Sequence, residues 1–172
     1  SNNTNLKVFV QHMDYFKTKR ATGFIIPEIV KQSGAVGTLL NHSEHRLRDE
    51  TIEKTIKRAK ELKLQTIICA ENAKRAKKFL EFKPDAIAFE SPELVASGKS
   101  ITQFRQNEIK NFVKLFKGKK ISPLCGAGIQ TSKDIKTAYE LGCKGILISS
   151  AIANVPLKKA KTLLKEISKI KQ

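Results

Sequence analysis

The chain has 172 residues, 40% of them apolar and only 6% aromatic, which is enough for one packed core of Ile, Leu, Val and Ala and too much for a disordered chain. No apolar run approaches the ~18–20 residues of a membrane span, and the polar start, Ser1-Asn2-Asn3-Thr4-Asn5, carries no apolar signal segment. The net charge of +17 invites a nucleic-acid reading, but the densest lysine clusters, 74–78 and 158–161, fall on amphipathic helical patterns as solvated faces, with no aromatic-studded basic strand beside them.

In chain order, short apolar runs alternate with helical patterns. Residues 8–10 and 36–40 read as strands, and a helix follows with Ile52, Ile56, Ala59 and Leu62 on one stripe and Glu53 paired to Lys57 outside. A strand at 66–69 precedes a second stripe of Ala73, Ala76, Phe79 and Leu80. Strands follow at 86–89 and 121–125. Thr131 then caps a helix whose positive end suits Asp134. The last strand is 145–148, and Pro156 sits in the first turn of a helix carrying Leu157, Ala160, Leu164 and Ile167. The runs are continuous and rich in β-branched residues, as strands buried on both faces should be, so the fold class is α/β with a parallel sheet. No linker divides the chain, which reads as one domain over 1–172. Cys69, Cys125 and Cys143 lack CxxC spacing, and an odd count without a secretory segment points to reduced thiols in the cytoplasm.

In such a sheet, ligands bind at the carboxyl ends of the strands. The residues there are Gln11-His12, Asn41-His42-Ser43-Glu44, Glu71-Asn72, Glu90-Ser91-Pro92-Glu93, Gly126-Ala127-Gly128 and Ser149-Ser150. Gly126-Ala127-Gly128 leads into the Thr131 helix, where backbone amides can meet an anion, although the same pattern makes an ordinary tight turn. Ser149-Ser150 after the last strand strengthens the phosphate reading. His42 stands among polar groups at this mouth. His12 and His45 read as structural, and no spacing of His, Cys or carboxylates forms a metal site. Glu90 directly follows a buried strand, where it serves either as a cap or ion-pair partner or as a general base made more basic by desolvation. The stretch 94–100 is rich in small residues and reads as a lid.

These blocks resemble the triosephosphate isomerase family in its shorter archaeal form. The resemblance rests on Gly34-Ala-Val-Gly-Thr-Leu-Leu-Asn-His-Ser-Glu-His-Arg-Leu47, Phe89-Glu-Ser-Pro-Glu-Leu94 and Leu124-Cys-Gly-Ala-Gly-Ile129, supported by Val10-Gln-His-Met-Asp14, Thr22-Gly23 and Gly145-Ile-Leu-Ile-Ser-Ser150. It implies a (β/α)8 TIM barrel, of which the chain supplies the third to eighth βα units. It implies interconversion of D-glyceraldehyde 3-phosphate and dihydroxyacetone phosphate through an enediolate, in glycolysis and gluconeogenesis, without metal or organic cofactor. Glu90 is then the proton-shuttling base and His42 the neutral electrophile, as in the family's standard account of acid–base tuning. Glu44 supports them, and Val95, Gly128, Ser149 and Ser150 bind the substrate phosphate, largely through amides. The Thr22-Gly23 segment implies a homo-oligomer, dimer or tetramer, with no nucleic-acid or membrane partner.

Several positions depart from the family pattern: Ser91 for a Pro, Ala96 and Ala151 for Gly, and His45 for an Arg. The family's first-strand Asn-x-Lys motif is not found, and nothing supports Lys17 or Lys19 as substitutes. The expectation is therefore an N-terminally incomplete barrel, since closed (β/α)8 domains need at least about 200 residues. Its activity alone is expected to be low. The competing readings are another phosphate-binding (β/α)8 enzyme and a non-enzymatic basic binding module.

Overall fold

Six short strands pair in parallel in chain order, each joined to the next through helix or loop on the way back. The computed structural model describes residues 5–18, 20–95 and 97–170; Lys19 and Ala96, singled out above, lie outside them. The strands are β1 (Phe9–Val10), β2 (Gly37–Leu40), β3 (Gln65–Ala70), β4 (Ala86–Phe89), β5 (Ser122–Cys125) and β6 (Gly145–Ile146). The helices are α1 (Pro27–Gln32), α2 (Asp49–Glu61), α3 (Ala73–Phe79), α4 (Ile101–Phe104), α5 (Gln106–Lys114), α6 (Ser132–Glu140), α7 (Ser150–Ala153) and α8 (Leu157–Ile167). This is part of a (β/α)8 barrel, six strands wide and open between β1 and β6 among the described residues.

The central strands are buried on both faces, and β4 is buried along its whole length. Ile68, Ile87 and Phe89 meet Ile52, Ile56, Phe79, Ile109, Phe112 and Ile135 from the helices in one core. A smaller cluster of Met13, Val30, Ala35, Ala59 and Leu64 lies under β1 and α1. The expected last strand, 145–148, is cut short at Ile146. Strand β6 has one neighbour, and beyond Ile146 only the Leu147 amide still reaches Cys125 O, at 2.8 Å. Pro156 occupies the residue before α8 rather than its first turn. The Glu53–Lys57 pair does not form among the described residues; both side chains are exposed, where solvation competes with so weak a bond.

The helix ends are tied by charge. Thr131 and Asp134 form a capping box on α6, as the sequence indicates. Arg58 joins α2 to α1 through Glu28. Asp49, opening α2, accepts from Arg75 Nη2 at 2.5 Å and from Lys78 Nζ at 2.5 Å, both on α3. Hydrogen bonds from Arg75 and Lys78 lower its pKa from 3.8 to about 2. A depressed carboxylate stabilises the fold above its unfolded pKa, and that contribution is lost as pH falls from about 4 towards 2. Asp49→Asn is expected to lower the unfolding free energy near neutral pH by on the order of 1 kcal/mol, discounted for partial exposure. Urea melts of the two proteins should differ at pH 7 and converge as the pH drops through that window.

Candidate active site

The carboxyl ends of all six strands open on one side. A cleft of about 640 Å³ there is lined by His42, Glu90, Val95, Gly128, Ser149 and Ser150, with Glu44, Gln11, His12 and His45 at its edge. The candidates His42, Glu44, Glu90, Val95, Gly128, Ser149 and Ser150 thus reach one cavity, whereas Glu71, Asn72 and Glu93, also at strand ends, do not line it. His12 and His45 also reach it, their rings 4.4 Å apart, and His12 Nε2 meets Asp14 Oδ1 at 3.4 Å. Among the described residues, no group of three or more His, Cys, Asp or Glu is arranged to hold a metal ion.

His42 follows β2 and Glu90 follows β4, so β3 lies between them. Two inter-strand steps separate their backbones by roughly 10 Å. The side chains nevertheless meet over the end of β3, where His42 Nε2 lies 3.0 Å from Glu90 Oε1. Strand β3 ends in the small buried residues Cys69 and Ala70, which leave that space open. Glu90 is 4% exposed, and its second oxygen accepts the Ser43 amide at 3.3 Å. Burial, followed by the neighbouring Glu90 charge, pushes the Cys69 thiol far above its ordinary range. Cys69 therefore stays a neutral thiol beneath the carboxylate.

The Glu44 amide donates to His42 Nδ1 at 3.3 Å, while the Glu44 carboxylate lies 3.5 Å from the same atom. The two contacts ask for opposite tautomers. The amide hydrogen is fixed and closer, whereas the carboxylate is 83% exposed and solvated. The amide therefore decides: Nδ1 carries the lone pair, and the neutral ring presents Nε2–H to Glu90.

A residue to which the sequence reading gave no role holds this loop in shape. Asn41 adopts a left-handed backbone, φ 58°, and is buried. Its Nδ2 donates to Cys69 O at 2.9 Å, its Oδ1 accepts the Leu47 amide at 2.9 Å, and its carbonyl accepts Arg46 Nη1 at 2.8 Å. The signal was an Asn directly after a buried strand, a residue type that tolerates the left-handed region.

The opposite wall is backbone. Ala127 and Gly128 have φ of 75° and 66°. A Cβ on Gly128 would lie 1.9 Å from Lys99 O, so only glycine lets the backbone at Lys99 and Ser100 pack onto this turn. The Ile101 amide bonds Ala127 O at 3.2 Å across the same junction. Among the described residues, the amides of Ala127, Gly128, Ser149 and Ser150 have no acceptor. The Val95 amide, by contrast, bonds Pro92 O at 3.3 Å. Beyond Ser100, buried Asp134 accepts from Gln103 Nε2 at 2.8 Å and Thr102 Oγ1 at 3.2 Å. Burial opposes the Asp134 charge, but the bonds from Gln103, Thr131 and the Gln130 amide outweigh it and hold its pKa below the usual carboxylate range.

A carboxylate and an imidazole facing one cavity, opposite amides that have no acceptor among the described residues, can move a proton on a small anion. Comparison with known proteins agrees. Residues 1–163 match the triosephosphate isomerase family. The triosephosphate isomerase of Methanocaldococcus jannaschii is 36% identical over 169 residues, covering 97% of this chain and 76% of that protein. The Methanobacterium bryantii enzyme of the same name is 39% identical over 168 residues, covering 96% and 74%. That of Saccharolobus solfataricus is 39% identical over 153 residues, covering 88% and 67%.

The chain belongs to the triosephosphate isomerase family. Within this triosephosphate isomerase relative, the arrangement of six βα units agrees with a match to about three-quarters of the longer proteins. Among the described residues, no helix is long and apolar enough to cross a membrane.

Proposed function

We propose that this chain interconverts D-glyceraldehyde 3-phosphate and dihydroxyacetone phosphate, the triose step of glycolysis and gluconeogenesis, acting as a single barrel domain in the cytoplasm. The observation that carries the reading is the contact between Glu90 and His42. Glu90 takes the proton from one substrate carbon and returns it to the neighbouring carbon. His42 Nε2–H donates in turn to the two substrate oxygens and stabilises the enediolate between them. With no substrate, the two groups bond each other. A substrate oxygen that takes the Nε2–H releases Glu90 Oε1 towards the carbon. The phosphate sits against the amides of Gly128, Ser149 and Ser150, with Val95 closing the lid side. Glu44 sets the His42 tautomer through its backbone. Exposed Phe24 and Ile25 beside Thr22-Gly23 support a homo-oligomeric contact. Their loop is pinned by the Ile25 amide on Asp14 Oδ2 at 2.7 Å.

No lysine or arginine lines the cleft among the described residues, so the developing charge is met by neutral donors alone. Proton abstraction and net turnover should therefore separate. Dihydroxyacetone phosphate incubated with the protein in D2O is expected to gain deuterium at C1 faster than in buffer, followed by NMR. Net isomerisation should run about 10²-fold or more below the Methanocaldococcus jannaschii relative, the scale of one missing electrostatic donor. Exchange no faster than in buffer would remove the proton-transfer reading.

A further inference from the structure

At the opposite end of the sheet from the active-site mouth lies a second cleft, of about 800 Å³. It opens beside the start of β5, at Ser122 and Pro123, so the four residues of that strand, roughly 13 Å, separate it from the mouth. Six lysines line it: Lys110 and Lys114 from α5, Lys117, Lys119 and Lys120 from the loop to β5, and Lys144 from the turn before β6. No acidic side chain lines it. The lysines that do bond a partner through Nζ, Lys60, Lys78 and Lys136, lie elsewhere. The floor is apolar, formed by Val113, Phe116, Ile121 and Leu141.

A solvated lysine face lies along one helix; here six lysines from three segments line one concavity, with no acidic side chain in its lining among the described residues. They repel one another, and the apolar floor concentrates their field into the cleft. An anion placed there relieves the repulsion. The volume falls in the ~300–1,000 Å³ range of small-molecule sites. Inorganic phosphate would engage the rim and leave the floor empty. A ligand that uses both has several negative charges at one end and a flat, weakly polar body at the other. We propose that this cleft binds a nucleoside triphosphate, its phosphates on the lysine rim and its base and ribose on the floor of Val113, Phe116, Ile121 and Leu141.

Calorimetric titration of the full chain with ATP tests this. One site is expected, with affinity falling steeply between roughly 50 and 200 mM salt, as contacts of several lysines to phosphate require. The double substitution Lys117→Glu, Lys120→Glu is expected to weaken binding about tenfold or more, equal to about 1.4 kcal/mol, with the melting temperature not lowered, because both side chains are exposed and the change relieves the lysine repulsion. Inorganic triphosphate, lacking the base, should bind about tenfold more weakly than ATP. Saturating dihydroxyacetone phosphate should leave ATP binding unchanged. The control Lys158→Glu, Lys161→Glu on α8 removes the same charge elsewhere and should shift affinity about twofold at most. The proposal is overturned if the cleft variant binds ATP as the parent does or loses no more than the α8 variant. It is equally overturned if triphosphate matches ATP, if dihydroxyacetone phosphate competes, or if a short RNA of equal charge binds more tightly than ATP.

Discussion

Glu90→Asp is expected to slow deuterium exchange into dihydroxyacetone phosphate by about 10²-fold or more, because an error of about 1 Å in placing a reacting group has that effect. Removing one methylene withdraws the carboxylate by about 1.5 Å. The geometry offers no compensation. Glu90 is buried and held from two sides, by the Ser43 amide at 3.3 Å and by His42 at 3.0 Å, and its backbone amide is fixed to Ala70 O at 2.9 Å. The shorter carboxylate cannot keep both contacts and reach the substrate carbon. Glu90→Gln separates basicity from position. The amide has nearly the same volume and its one oxygen still accepts from His42, with only the longer Ser43 N–H bond given up, so the fold should be kept while proton abstraction is lost. Melting curves of the two variants against the parent report folding, and NMR exchange reports chemistry. Parent-like exchange in either variant would take Glu90 out of the mechanism.

The strands were readable because they are continuous apolar runs, and four of the six boundaries shift by no more than a residue for that reason: β1, β2, β3 and β5. β4 coincides with its run, while β6 stops at Ile146, because hydropathy does not report whether a neighbour is there to pair with. The mouth was readable as a set, since parallel βα units put all strand ends on one side. What linear sequence does not carry is how far a side chain reaches. His42 and Glu90 stand on strands that are not neighbours, and their contact depends on Cys69 and Ala70 being small at the end of β3. Asn41 was given no role because that role lies in a left-handed backbone and in bonds to Arg46, Leu47 and the distant Cys69 carbonyl. The Gly126-Ala127-Gly128 turn was ambiguous alone. The 1.9 Å approach of a notional Cβ on Gly128 to Lys99 O is what ties the turn to the backbone before α4. The lysines around β5 form no cluster in the sequence for the same reason: they come from three segments that only the fold brings together.

His42→Gln is expected to lower the exchange rate about 10²- to 10³-fold, the loss typical of removing one donor aimed at a developing oxyanion. The argument turns on the tautomer. Because the Glu44 amide donates to Nδ1 at 3.3 Å, the ring hydrogen is directed from Nε2 into the cleft, where no lysine or arginine among the described residues can substitute for it. Glutamine can donate, but its amide has no second atom placed to accept from the Glu44 N–H, so its orientation is no longer enforced. Nitrogen-15 NMR of the His42 ring should show a neutral imidazole protonated at Nε2. Glu44→Ala then distinguishes backbone from side chain. It keeps the amide and removes the exposed carboxylate, so its loss should be well below that of His42→Gln, with the same ring signature. A loss equal to that of His42→Gln, or a ring protonated at Nδ1, would assign control of the electrophile to the Glu44 carboxylate instead.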